Sequence, residues 1–184
     1  MKILLFGVSN VGKSTIGSML AKQLGFCFYD LDDEVKNEFQ VTLEEFVNTE
    51  NLRWRDQKRG RIIKKILARD ENMVFAITPI SYTENFSKRI IGDDILPIEL
   101  VDTPANIFDR LFFSDADDIT YEDDEYKNQH RDYYMTEIQA DIDWYGNVFS
   151  KIGITNKFEI RNESPEIAVK RLIMEYGLGQ RNTV

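Results

Sequence analysis

The chain has 184 residues, 42% of them hydrophobic and 30% charged, and its formal net charge is −9 at pH 7. This composition is that of an ordinary globular protein, and we expect one domain over residues 1–184. The negative charge argues against nucleic acid or an anionic membrane as the main partner. One cysteine and one histidine exclude an internal disulfide and a multi-histidine metal centre. No apolar run reaches membrane-spanning length and no coiled-coil pattern is present, so the expectation is a cytoplasmic monomer.

Apolar runs and helical periodicities alternate along the chain. A strand over 3–6 precedes a helix over 13–24, and a second strand over 26–29 precedes helical segments that extend to about residue 69. Strands over 73–77, 95–101 and 158–160 follow, and each of the last two leads to a helix that begins with proline. Strands separated by helices imply parallel pairing. The sequence therefore predicts an α/β three-layer sandwich with a five-stranded parallel sheet.

The helical region after the second strand has a recognisable start signal and a predicted buried face. Thr42 and Glu45 have the spacing of a capping box. The face that we expect to be buried consists of Val35, Phe39, Leu43, Phe46 and Val47.

Residues 113–128, here called the acidic segment, differ in composition from the rest of the chain. Few of their side chains are apolar, and we expect an exposed, mobile segment. Seven acids crowd together within it: Asp115, Asp117, Asp118, Glu122, Asp123, Asp124 and Glu125.

The strongest functional signal is the glycine loop that follows the first strand. Gly7 and Gly12 permit a tight backbone path in which successive amides point at phosphate oxygens. Lys13 is placed to reach the β- and γ-phosphates, and the Ser14 hydroxyl to bind Mg²⁺. The loop lies between an apolar strand and an amphipathic helix, as this chemistry requires. It predicts a site for the phosphates of a nucleoside triphosphate.

Two classes of phosphate-loop protein are compatible with further segments. One is a GTPase-like switch: Asn10 to Thr15, Val101-Asp102-Thr103-Pro104-Ala105 and Asn156-Lys157-Phe158-Glu159 resemble its three motifs. Ala105 and Glu159 stand where such proteins have a γ-phosphate-sensing glycine and a guanine-reading aspartate.

The other class covers more of the chain. The glycine loop, the helix through Leu24-Gly25, Asp30-Leu31-Asp32 and the pair Trp54-Arg55 resemble the shikimate kinase family. This resemblance implies an ATP-dependent kinase that uses Mg²⁺ and phosphorylates a small hydroxylated metabolite. Its acceptor would be shikimate or a different hydroxylated acid.

The resemblance also implies roles for individual residues. Lys13 and Asp32 would be catalytic, with Asp32 activating the acceptor hydroxyl, and Ser14 and Asp30 would hold the metal. The acceptor would contact Asp32, Arg55, Thr78 and Arg131. The nucleotide would contact Gly7, Ser9, Asn10, Val11, Gly12, Lys13, Ser14, Thr15, Arg110, Ser164 and Pro165.

Three departures from the family pattern concern the acceptor side. The family has three glycines after its third strand, where this chain has Thr78-Pro79-Ile80. The acidic segment replaces a lid rich in arginine, and Lys58 stands where a glutamate is usual. A nucleotide-binding protein with weak or lost kinase activity is therefore the second hypothesis, and the GTPase-like switch is the third.

Overall fold

The computed structural model describes residues 1–179, which form seven strands, eight α-helices and a short 3₁₀-helix at Ser87–Arg89. The strands are β1 (Lys2–Phe6), β2 (Cys27–Asp30), β3 (Met73–Ala76), β4 (Ile95–Val101), β5 (Phe113–Ser114), β6 (Thr120–Tyr121) and β7 (Lys157–Glu159). The helices are α1 (Lys13–Leu24), α2 (Leu31–Phe39), α3 (Leu43–Thr49), α4 (Leu52–Leu67), α5 (Pro104–Asp109), α6 (Asp124–Gln129), α7 (Arg131–Lys151) and α8 (Pro165–Glu175).

Five strands form one parallel sheet in the order β2-β3-β1-β4-β7. The central strand is β1, in which Leu4 lies beside Phe75 of β3 and Pro97 of β4. The predicted five-stranded parallel sheet is thereby confirmed. Because all strands run the same way, the loops after β1, β2, β3 and β4 lie at one edge of the sheet.

Side chains of β1 point alternately into two hydrophobic cores, one on each face of the sheet. Ile3 and Leu5 pack in a core with apolar residues of α1 and α8. Leu4 and Phe6 pack in the other, against α4 and the end of α7. These two helical layers complete the predicted three-layer sandwich. None of the helices in residues 1–179 combines the length and the apolar character needed to cross a membrane.

Pro97 lies inside β4 without breaking the sheet. Glu99 donates its amide to the carbonyl of Asn156, on the side of β4 where β7 lies. Pro97, two residues earlier, faces the same side at a point where β7 has not begun. Its missing N–H group therefore leaves no sheet hydrogen bond unmade.

The helical region between β2 and β3 differs from the expected continuous face. Gln40 has a φ of 55° and ends α2, and a separate helix α3 follows. The predicted capping box of Thr42 and Glu45 is present at the start of α3. The expectation that Val47 is buried is wrong, because so short a helix buries only Phe46 against the core and leaves Val47 39% exposed.

The acidic segment is exposed, as expected, but it has regular structure that the composition did not predict. β5 and β6 form an antiparallel hairpin, and α6 follows. The acids supply the local hydrogen bonds: the Asp115 carboxylate accepts from two amides of the hairpin turn, and Asp123 caps α6. Asp118 reaches across to accept from the amide of Leu43 at 2.8 Å. The Phe113 ring also packs against Tyr121 across the hairpin and against Tyr126 of α6, both at 5.8 Å between ring centroids. The carboxylates that close the turn and cap the helix act together with these aromatic contacts.

Candidate active site

The phosphate loop joins β1 to α1 at the carboxyl edge of the sheet. Its backbone has positive φ at Gly7 (139°), Asn10 (58°) and Gly12 (109°). A Cβ atom on Gly7 would lie 2.6 Å from the carbonyl oxygen of Leu100 in β4, so no larger residue fits there. The sequence thus fixes both the turn and its close approach to the neighbouring strand.

The amides of this loop are available to a ligand. Gly12 is the N-cap residue of α1 and supplies no side-chain acceptor for the first turn. Among residues 1–179, no hydrogen bond has the amide of Val11 or Gly12 as its donor. Free amides at the positive end of a 12-residue helix form an anion site that suits phosphate oxygens.

Lys13 lies over the loop, where its ammonium group donates to the carbonyls of Gly7 at 3.1 Å and Val8 at 2.8 Å. Burial lowers the pKa of Lys13 to about 8, although the nearby carboxylates of Asp32 and Asp30 oppose the shift. Phosphate groups would supply the anionic partner that this cation lacks. The site therefore fits the triphosphate of a nucleotide.

Asp30 combines a structural contact with a contact to the predicted metal ligand. One carboxylate oxygen accepts from the amide of Asp32 and caps α2, and the other accepts from the Ser14 hydroxyl at 2.5 Å. Burial raises the pKa of Asp30; the hydrogen bond from Ser14 lowers it, and the nearby charge of Asp32 raises it further. A divalent cation would relieve this crowding of negative charge. A hydroxyl beside a carboxylate is a donor set that Mg²⁺ accepts together with phosphate oxygens and water.

A cavity of about 470 Å³ opens above the loop and joins most of the predicted residues. The predicted residues that line it are Ser9, Asn10, Gly12, Lys13, Ser14, Thr15, Asp30, Asp32, Thr78 and Arg110. Its remaining walls come from Ala76, Pro79 and Phe112. The Asp32 carboxylate has no hydrogen-bond partner within residues 1–179, and it is free to meet an acceptor hydroxyl.

Other predicted residues do not line this cavity. Gly7 and Val11 shape the loop from beneath, since both are packed against neighbouring residues. Ser164 is the N-cap residue of α8, and Pro165 is its first residue. Both lie at the start of the last helix, outside the described lining of the cavity.

Two arginines predicted to hold the acceptor lie outside the cavity lining. The guanidinium of Arg131 stacks on the Phe108 ring at 4.5 Å, and the ammonium of Lys127 lies 5.6 Å from the same ring. Arg55 is half-buried in α4, and its Nε atom is buried without an acceptor in the described part of the chain. In this structure the acceptor end of the cavity has a carboxylate, Asp32, but neither of these cations.

Arg110 is the arginine that does line the cavity, and it is paired with Asp102. Its Nη2 donates to the Asp102 carboxylate at 2.7 Å. Burial alone would raise the pKa of Asp102, but hydrogen bonds from Asn106, Arg110 and Thr103 outweigh it and leave the pKa below its usual value. The pair is therefore ionic at neutral pH.

A further residue at the acceptor side escaped sequence reasoning. Asp56 is completely buried in α4, and its carboxylate accepts from the amides of Ser81 at 2.9 Å and Tyr82 at 3.0 Å. It thereby fixes the course of the chain just after Thr78 and Pro79. The available signal was that Asp56 is the only acid in the otherwise basic helix α4, whereas a charged run normally indicates a solvated face.

One of the three segments that resemble GTPase motifs lies apart from the other two. Asn156 immediately precedes β7 and therefore lies at the amino edge of the sheet, where its side chain donates to the carbonyl of Pro97. The phosphate loop lies at the opposite edge. The guanine-reading role is thus unsupported by the geometry.

The parallel sheet order, with the glycine loop after its central strand, defines a P-loop fold of the small-molecule kinase type. Within this class, the sequence model of the shikimate kinase family matches residues 9–152. The chain belongs to the shikimate kinase family, and the resemblance noted from the sequence is confirmed.

Individual relatives agree with this assignment over shorter stretches. The shikimate kinase of Bacillus licheniformis is 46% identical over 43 residues, which are 23% of this chain and 24% of that protein. The shikimate kinase of Francisella tularensis subsp. holarctica is 36% identical over 74 residues, 40% of this chain and 42% of that protein. The matches thus span less than half the length of these curated relatives.

The fold likeness extends over nearly the whole chain. The structure of shikimate kinase from Acinetobacter baumannii in complex with shikimate superposes with a TM-score of 0.72 at 16% identity, covering 98% of this chain and 95% of that one. At this identity the likeness establishes the fold.

Proposed function

We propose that this protein transfers the γ-phosphoryl group of ATP to a hydroxyl of a small metabolite, with shikimate as the first acceptor to test. One observation carries the proposal: a single cavity brings together the phosphate loop, the Ser14–Asp30 pair and the free carboxylate of Asp32. Membership of the shikimate kinase family supports it. Phosphoryl transfer needs positioning and charge neutralisation more than covalent chemistry, and these groups provide both.

The donor half of the site would be built from the loop and the first turn of α1. The amides from Ser9 to Thr15 would bind the β- and γ-phosphates. The Lys13 ammonium group would move away from the two carbonyls that it now contacts and would neutralise the charge of these phosphates. Ser14 and Asp30 would hold Mg²⁺, directly or through water. When bound, the metal would neutralise charge that develops on the phosphates.

The acceptor half would centre on Asp32. Its carboxylate lines the cavity at the carboxyl end of β2 and would accept the proton of the attacking hydroxyl. Thr78, which also lines the cavity, would orient the acceptor. Pro79 has no backbone N–H to donate, and Ile80 is buried in the core. The acceptor half of the cavity therefore has a different backbone surface from one made of three glycines.

A second candidate is a nucleotide-binding protein with weak or lost kinase activity. It is favoured by one observation: Lys127, within the acidic segment, and Arg131, just after it, are held on the Phe108 ring instead of facing the loop. An arginine delivered to the transferred phosphoryl group can be worth several orders of magnitude in rate. Lys13 and Arg110 would then be the two cations left to neutralise the charge on the transferred phosphoryl group.

The two candidates separate in a coupled assay of ADP release with Mg²⁺-ATP, with and without shikimate. Stimulation by shikimate supports the kinase, and Asp32→Asn should then remove turnover while leaving ATP affinity nearly unchanged. Asp33→Asn, one residue away but exposed and paired with Lys36, is the matched control and should retain activity. ATP binding without stimulation by shikimate or by a panel of other hydroxylated acids would favour the second candidate. A variant Lys13→Ala that still binds ATP would contradict both.

A further inference from the structure

Asp102, at the carboxyl end of β4, is a buried carboxylate on which four donors converge. Its side chain is 1% exposed. One oxygen accepts from the amide of Thr103 at 2.9 Å and the side-chain amide of Asn106 at 2.6 Å. The other accepts from Arg110 at 2.7 Å and from the backbone amide of Asn162 at 3.4 Å. A carboxylate has about four acceptor positions, so all of them are occupied.

The first consequence concerns Arg110. Its side chain is 29% exposed, it lines the phosphate-loop cavity, and its Nε atom is buried without a partner in residues 1–179. The ion pair with Asp102 is the contact that fixes the direction of this long side chain. Without it, several rotatable bonds would be free and the guanidinium would pair with solvent.

The second consequence concerns the turn before α8. Arg161 and Asn162 both have positive φ, 61° and 54°, which is an uncommon backbone for residues other than glycine. The amide of Asn162 points back to Asp102. This turn leads to Ser164 and Pro165, for which the resemblance to shikimate kinases implies a contact with the nucleotide. One carboxylate therefore holds two elements that are expected to flank the donor nucleotide.

We propose that Asp102 is a positioning residue for the donor nucleotide and that it acts through Arg110. The proposal rests on the nucleotide site proposed above. It also gives a role to Asp102 within the segment 101–105, which resembles the second motif of GTPase-like switches. Because every acceptor position of the carboxylate is occupied by protein donors, Asp102 has no oxygen free for a metal or a base.

The test is a double-mutant cycle on Asp102→Ala and Arg110→Ala, with the Kd of Mg²⁺-ATP measured by isothermal titration calorimetry on the full chain. Each single variant should weaken ATP binding about tenfold, and the double variant should be little worse than Arg110→Ala, because Asp102 acts through the arginine. The KM for the acceptor should stay unchanged. Asp109→Ala, exposed at the end of α5 and next to Arg110 in the chain, is the control and should bind ATP normally.

Two results would overturn the proposal. The first is an unchanged ATP affinity in Asp102→Ala. The second is a double variant whose loss of ATP affinity equals the product of the two single losses, because a carboxylate with a merely structural role would act independently of Arg110. If Asp102→Ala fails to fold, Asp102→Asn keeps the side-chain volume and the oxygen bonded to Thr103, and takes its place in the cycle. If the wild-type protein binds no ATP, the proposed function is overturned as well. If it binds ATP with an affinity that does not depend on Asp102, this inference alone is overturned.

Discussion

The half-buried ammonium group of Lys13 should reduce the stability of the ligand-free protein. Burial lowers its pKa from the usual 10.5 to about 8, although Asp32 and Asp30 oppose the shift. At ~1.4 kcal/mol per pKa unit, this difference corresponds to roughly 3 kcal/mol below pH 8, where the lysine is protonated both folded and unfolded. We therefore expect Lys13→Met to be more stable than the wild type at pH 7. Part of the gain will be offset by two lost hydrogen bonds to loop carbonyls.

The gain should shrink in alkali. Above pH 8 the folded chain releases the Lys13 proton while the unfolded chain keeps it up to about 10.5, so wild-type stability rises with pH. After the lost hydrogen bonds, about 1–2 kcal/mol of the gain remains, and each kcal/mol is worth about 2–4 °C at this chain length. Thermal unfolding without ligand should therefore show a melting temperature roughly 2–8 °C higher for Lys13→Met at neutral pH, and a smaller difference near pH 9.5. Lys22→Met, exposed on the same helix, should change little at either pH. A less stable Lys13→Met, or a gain independent of pH, would refute the reasoning.

Three further predictions concern Gly7, Asp30 and Asp56. Gly7→Ala should lose about 1–3 kcal/mol to backbone strain and more to the clash with the Leu100 carbonyl. Gly153→Ala, at a φ of +85° but in open space, is the control that measures backbone strain alone. If urea unfolding gives the same loss of stability for both variants, the clash makes no contribution. Asp30→Ala should cost about 1 kcal/mol of stability because α2 loses its cap. It should also weaken ATP binding more with Mg²⁺ than without it; equal weakening in calorimetry would show that Asp30 does not help to hold the metal. Asp56→Ala should cost about 3–5 kcal/mol, because the buried Arg59 guanidinium loses its carboxylate partner and two amides lose a buried acceptor. It should raise the KM for the acceptor but not for ATP, and steady-state kinetics that show both KM values rising would contradict its local role.

The sheet could be read from the sequence because its signals are local. Short apolar runs bounded by glycine or by a capping residue placed all five strands within a residue or two of their observed limits. The errors occurred where tertiary contacts decide. The helical periodicity that included Val47 continued through Gln40, where the chain turns, and the acidic segment obtains its hairpin from carboxylate-to-amide bonds that composition does not reveal.

The residues of the candidate site show the same division between local sequence signals and contacts that only the folded chain reveals. Residues of the phosphate loop, with Asp30 and Asp32, are fixed by short motifs at strand ends, and the structure gathers them around one cavity. The expected partners of the acceptor depended on distant segments. Arg131 was placed by its position along the chain, yet an aromatic ring on α5 holds its guanidinium. The role of Asp102 needed the folded positions of Arg110 and Asn162, which are eight and sixty residues away.

The two contacts of Asp30 have a consequence for how relatives of this protein should be interpreted. Since one of its oxygens caps α2, a relative without kinase activity would still be selected to keep an aspartate there for folding. Asp32 has no such second duty in the described structure, because its carboxylate binds no other protein group. Loss of catalysis during evolution would therefore show first at Asp32, and an intact Asp30 would say little about whether a given relative is still an enzyme.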